Sequence, residues 1–320
     1  MPNGYHGPAW LPGGHAQTLW PLLRKDALPG YRRQRWNTPD DDFIDLDWID
    51  GPVVAPLLVL FHGLEGSSGS HYARAVMHAV ERRRWRGVVV HFRGCSGEPN
   101  RLPRAYHSGD SEEIDWILRR LEQSGPVFAT GISLGGNALL KWLGERGSAA
   151  SRLVTAAASI SAPLDLASSD AALSRGVNRL YARHFLNSLI PKALAKLDRF
   201  PGLYRAEQVR VACSLHAFDD VVTAPLHGFR NVADYYARSS ARQFLGGIEV
   251  STLLVNSMND PFLPASALPG PSQLSPSVLL ETPAEGGHVG FVSGAFPGTL
   301  NWLPSRILEF FERQIEVRDK

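Results

Sequence analysis

Six short, nearly continuous apolar runs set the strongest limit on how this chain can fold. They read PLLVLF (56–61), GVVVHF (87–92), PVFAT (126–130), LVTAAASI (153–160), STLLVN (251–256) and SVLLET (277–282). A strand with one wet face alternates apolar and polar residues. Runs without alternation belong to strands covered on both faces, as in a parallel sheet. Helical stretches at Tyr72 to Arg83 and Asp110 to Glu122 separate the early runs. Strand, helix, strand, helix specifies an α/β class, with a mostly parallel central sheet and helices on both faces. Ahead of it, Tyr31 to Trp36 and Phe43 to Trp48 alternate loosely around NTPDDD, which predicts an antiparallel pair joined by an acidic turn. Asp40, Asp41 and Asp42 are expected there as a solvated loop and not a metal site, since no nearby histidine completes a cage. The alternation stops after Ile160, and residues 165–245 are helix-prone. They are expected as a helical cap inserted over the sheet edge of one domain that spans 1–320. The chain closes on an amphipathic stretch with Leu300, Trp302, Ile307, Phe310 and Phe311 on its apolar positions.

The third run leads into ATGISLGGNALLKW (129–142), where Ser133 stands between Gly131 and Gly135. Ala138, Leu139, Trp142 and Leu143 then recur at helical spacing. A serine on a strand-to-helix turn, flanked by glycines two positions away, matches the nucleophile elbow, in which a sharp turn exposes the hydroxyl. A neutral serine is a weak nucleophile, so it needs a base within hydrogen-bond reach and a group to orient that base. The loops at strand C-termini converge on one crevice and should carry them. His288, in AEGGHVGF after the last run, is the expected base. His184 and His216 fall in the cap, and His227 in the turn TAPLHGF. For the acid, Asp260 in NSMNDPFLP follows its strand directly, while Asp165 in SAPLDL competes from the strand after the elbow. Both satisfy the order Ser, Asp, His; the place of Asp260 just beyond its strand, before Pro261, favours it.

Charge developing on a carbonyl oxygen needs two backbone N–H donors. One is expected from Leu134, directly after the serine, and the other from Leu64 in the loop HGLEGSSGS (62–70). That loop has no Gly-Lys-Ser/Thr ending, so it is not a phosphate cradle of the P-loop kind. His62 is expected to shape the loop, and Cys95 in FRGCSG to be structural.

Composition excludes several other classes. Net charge is +2, from 33 basic and 31 acidic residues, without the basic excess of a nucleic-acid binder. Two cysteines, Cys95 and Cys213, provide neither a disulfide framework nor metal-ligand spacing. No run approaches the roughly 20 apolar residues of a membrane span, and the opening MPNGYHGPAWLPGG lacks the pattern of a signal peptide. A cytoplasmic protein without an integral membrane segment is the expectation.

Nine ordered segments carry a family resemblance: GHAQTLWP (14–21), FHGLEGSSGSHY (61–72), HFRGCSGEPNR (91–101), AYHSGDSEEI (105–114), GISLGGNALLKWLGE (131–145), SAPLDL (161–166), TAPLHGF (223–229), NDPFLP (259–264) and GGHVGF (286–291). Together they resemble the YheT-like branch of the α/β-hydrolase superfamily over nearly the whole chain. The resemblance implies the α/β-hydrolase fold, a Ser133, Asp260, His288 triad and carboxylic ester hydrolysis on small-molecule acyl esters, with no cofactor. Thioester hydrolysis or acyl transfer by the same triad, and a non-catalytic binding protein with this fold, are the competing expectations.

Overall fold

The computed structural model describes residues 4–24, 26–121 and 125–318. Eight strands form one sheet: β1 (Arg32–Asn37), β2 (Phe43–Ile49), β3 (Leu57–Phe61), β4 (Arg86–His91), β5 (Val127–Ile132), β6 (Ala156–Ile160), β7 (Thr252–Val255) and β8 (Val278–Glu281). Their spatial order is β1-β2-β4-β3-β5-β6-β7-β8. Strand β2 runs antiparallel to both β1 and β4, and every other pairing is parallel. Each strand therefore lies within a few residues of its apolar run. The edge strand β1 is exposed along almost its whole length and carries Arg32, Arg33 and Arg35, charges that discourage pairing with another edge.

Among the helices are α1 (Gly14–Leu19), α2 (His71–Arg82), α3 (Ser111–Arg120), α4 (Leu134–Arg146), α5 (Leu166–Leu173), α6 (Arg179–Arg199) and a last helix, Trp302–Arg318. The expected end of α3, Glu122, lies outside the described residues. Successive residues of β3 serve opposite faces. Leu57, Val59 and Phe61 pack with Ile114, Ile117, Leu139 and Trp142 of α3 and α4. Leu58 and Leu60 pack with Val76, Met77 and Val80 of α2 and with Ile307, Leu308 and Phe311 of the last helix. Both faces being covered, no polar residue is needed in these strands. Leu300 precedes the last helix and joins a small cluster with Leu11 and Val292.

Between β6 and β7 the chain makes helices and no strand among the described residues. Leu186, Ala193, Val209, Ala212, Phe218 and Val222 form a core of their own there. The end of the expected cap range behaves differently: Ala241 and Leu245 belong to the sheet-side core beside α4. Nor is the acidic turn uniformly solvated. Asp42 is fully buried and accepts hydrogen bonds from the backbone N–H groups of Phe43, Arg101 and Leu102 and from Asn100 Nδ2. Arg93 also reaches it. The correction has a tertiary cause: Asn100, Arg101 and Leu102 donate from a loop some 60 positions away in sequence, which a local reading of three aspartates does not include.

Candidate active site

Strand β5 ends at Ile132, and α4 begins at Leu134, so Ser133 alone makes the turn. It does so at φ 51° and ψ −118°, a strained conformation for a residue with a side chain. Close packing enforces it. A Cβ on Gly131 would stand 2.5 Å from the Gly135 carbonyl oxygen, and one on Gly135 would overlap the Phe61 and His62 carbonyl oxygens. The two motif glycines are therefore contact surfaces between α4 and strands β3 and β5 (their φ angles are ordinary). Ser133 N–H donates to the Ile160 carbonyl at 2.8 Å, and the Ser133 carbonyl accepts from Asn137 N–H at 3.0 Å.

His288 Nε2 lies 2.9 Å from Ser133 Oγ, and its Nδ1 lies 2.8 Å from Asp260 Oδ2. The Asp260 side chain is fully buried, and its other oxygen accepts from Phe262 N–H at 2.8 Å. The Phe262 ring stacks on the imidazole with centroids 4.2 Å apart. The expected serine, histidine and Asp260 thus form one hydrogen-bonded line. The competing Asp165 stands outside it. Its carboxylate accepts from Ser168 N–H at 3.1 Å and caps α5.

The histidine loop is held by the N-terminal segment, a role that local sequence did not announce. Thr18 Oγ1 accepts from His288 N–H at 2.8 Å, and Gln17 Oε1 accepts from Gly286 N–H at 2.8 Å. Asn259 Oδ1 accepts from Gly287 N–H at 2.9 Å, and the same Asn259 donates to Gln17 at 3.0 Å. Val289 and Phe291 follow at positive φ. With Glu65, Ser133 and Ser161, they concentrate the strained non-glycine residues around this one crevice; the others described are Asp41 and Arg84. Such strain persists only where surrounding structure over-determines it.

The loop after β3 uses its amides selectively. Gly63 N–H donates to Tyr72 Oη at 2.9 Å, and Glu65 N–H donates to Tyr106 Oη at 2.8 Å. The Leu64 N–H between them has no acceptor among the described residues, and neither does the first-turn N–H of Leu134. Gly63 packs so closely that an added Cβ would sit 3.2 Å from Ser133 Cβ. His62 is fully buried, accepts from Phe92 N–H at Nε2 and donates from Nδ1 to the Gly63 carbonyl. Burial pushes its pKa down to about 3, so it is a neutral strut between two loops. Burial, and then Glu65, push the Cys95 thiol up to about 12, which keeps it un-ionised.

Ser133, His288, Leu64 and Leu134 all border a cavity of about 680 Å³. Its far wall comes from the helical insertion, including Phe185, Leu189, Leu215, Phe218 and Val222. Leu186, one residue from Phe185, is instead buried inside the insertion's own core.

An α/β-hydrolase-fold family model matches residues 56–295, which hold Ser133, Asp260, His288, Leu64 and Leu134. This chain belongs to the α/β-hydrolase family. Within the family it joins the YheT-like branch: it is 40% identical to the Escherichia coli protein YheT, over 95% of this chain and 92% of that one. The α/β-hydrolase is also 29% identical to phospholipase ABHD3 of Mus musculus, over 98% of this chain and 79% of that one. Among solved structures, the Pyrococcus furiosus esterase Pf2001 superposes with a TM-score of 0.55 at 16% identity, over 88% of this chain and 92% of that one. That likeness concerns the fold. Among the described residues of this α/β-hydrolase, no helix is long and apolar enough to cross a membrane.

Proposed function

We propose that this chain is a serine carboxylic ester hydrolase acting on small-molecule acyl esters through an acyl-enzyme intermediate. The observation that carries this reading is the line from Asp260 through His288 to Ser133 Oγ, which opens onto an apolar cavity beside two unclaimed amides. In it, Ser133 Oγ attacks the ester carbonyl as His288 Nε2 takes its proton. The developing oxyanion accepts from Leu64 N–H and Leu134 N–H. His288 then protonates the departing alcohol, leaving the acyl group on Ser133. Water, deprotonated by the same nitrogen, releases the acid. Asp260 accepts from Nδ1–H throughout, holding the tautomer and stabilising the imidazolium. The relatives support ester chemistry: the name of YheT carries a provisional esterase assignment, and the mouse relative is named a phospholipase.

A fluorophosphonate probe followed by peptide mapping tests the reading. Ser133 should be the residue modified, and Ser133→Ala should lower turnover of an acyl ester by up to about a million-fold. Labelling of a different serine, or wild-type turnover in the variant, rejects the reading. Absence of both labelling and turnover would leave the non-catalytic alternative standing.

A further inference from the structure

Two histidines on the cavity wall have no part in the relay. His107 belongs to AYHSGD, before α3, and His227 to TAPLHGF in the insertion; both border the cavity that holds Ser133. Their rings meet with centroids 4.5 Å apart, against Phe229 and Tyr235, which flank His107. The position of His107 relative to the elbow is fixed through its neighbour: Asn137, one turn after Ser133, donates from Nδ2 to the Ser108 carbonyl at 2.7 Å.

The hydrogen bonding of the pair is incomplete. His107 Nδ1 accepts from Gly109 N–H at 3.2 Å, which places its proton on Nε2, and that N–H has no acceptor among the described residues. His227 Nε2 is buried and has no partner either. Burial pushes both imidazoles down to about 3, so each is neutral at physiological pH. Of the charged groups that act on the pair, Arg104 Nη2 meets Asp110 at 2.7 Å and Lys196 donates to the Pro103 and Arg104 carbonyls, while Arg104 Nε and Asp110 Oδ2 are buried without a partner among the described residues. What the wall offers is a neutral donor beside neutral acceptor capacity. A hydroxyl group, which donates and accepts at once, complements it, whereas an alkyl group would leave buried polar atoms unpaired.

We propose that His107 and His227 form a hydroxyl-recognition subsite of the cavity, selecting esters that carry free hydroxyl groups over purely alkyl ones. As a statement about substrate choice it rests on the ester-hydrolase reading; as a statement about binding it does not.

The test has a binding arm and a turnover arm, with wild type, His227→Phe and His107→Asn. His227→Phe keeps a ring where no side-chain hydrogen bond is lost, and His107→Asn retains an acceptor for Gly109 N–H. Calorimetry compares 1-O-octylglycerol with octyl ethyl ether, neither of which can be hydrolysed. Wild type should prefer the glycerol ether, and each variant should reduce that preference about five- to tenfold. In the turnover arm, kcat/KM for glycerol mono-octanoate and for an ethyl hydroxyoctanoate are each divided by that for ethyl octanoate. The ratio that falls in the variants identifies which side of the ester the subsite reads. Equal binding of the two ethers, or a preference that both variants leave intact in folded protein, overturns the subsite. Absence of turnover and of fluorophosphonate labelling overturns the hydrolase reading alone, because the binding arm does not pass through Ser133.

Discussion

Helices α4 and α6 both border the cavity, yet they are held in opposite ways. Nine of the 13 residues of α4 are buried, against three of the 21 in α6. Helix α4 is locked by backbone: Gly131, Gly135 and Gly136 leave no room for a Cβ, and Asn137 ties it to the Ser108 and Ser239 carbonyls and to Ala241 N–H. Helix α6 is attached by long polar side chains. Ser188 and Lys192 reach Glu65, Lys196 reaches the Pro103 and Arg104 carbonyls, and Arg199 reaches those of Asn100 and Arg101. The difference separates two jobs. Backbone contact holds the proposed nucleophile within the few tenths of an ångström that a reacting atom needs. Side-chain attachment suits a wall whose task is to shape the cavity, which α6 lines through Phe185 and Leu189.

After Ser133→Ala, the largest expected effect also lies on the rigid side. Asp260→Asn should lower turnover about ten-thousand-fold while the thermal midpoint stays close to wild type. A variant that keeps wild-type turnover would remove Asp260 from the relay. On the cap side, two adjacent residues should respond differently. Leu186→Ala opens a hole in the insertion's core and should cost about 2 to 5 kcal/mol of stability. Phe185→Ala should leave more room in the cavity and shift preference toward longer acyl chains, read as kcat/KM across esters of graded length. If both variants gave the same chain-length profile as wild type, the wall would be packing only.

A pH experiment sharpens the same contrast. Asp219, in the insertion, accepts from Thr223 and Tyr236, and burial pushes its pKa up to about 7. A folded-state pKa above the unfolded value means that the native state holds its proton while the unfolded chain has lost it. Wild type should therefore lose ground to Asp219→Asn as pH rises from about 4 to 7, by about 1.4 kcal/mol per pH unit, and the gap should level off above that. Chemical denaturation at several pH values measures it, and a gap independent of pH would refute the assignment. The smallest effect belongs to Asp165→Asn. Asparagine caps a helix about as well as aspartate, so the exchange should cost at most a few tenths of a kcal/mol and little turnover, roughly within error of wild type. A large turnover loss there would exchange the roles given to the two aspartates.

The strands, the elbow at Ser133 and the candidate partners His288 and Asp260 were legible in the chain itself. Each depends on short-range pattern: apolar runs without alternation, glycines at fixed offsets, and polar residues just past a strand end. The chain alone also ranked Asp260 above Asp165, because strand order confines an orienting carboxylate to few loops. Only the tertiary structure decided the rest. It showed why the amide of Leu64 stays free, with Tyr72 and Tyr106, eight or more positions away, taking the amides on either side. It brought Gln17 and Thr18 onto the His288 loop across some 270 positions, and buried Asp42 under donors from a distant loop. It also turned Phe185 toward the cavity and Leu186 away. The physical reason is common to all four. A strand or turn is specified by neighbours along the chain, whereas a hydrogen-bond partner or a cavity wall is specified by whatever folding places alongside, and that information is spread over the whole sequence.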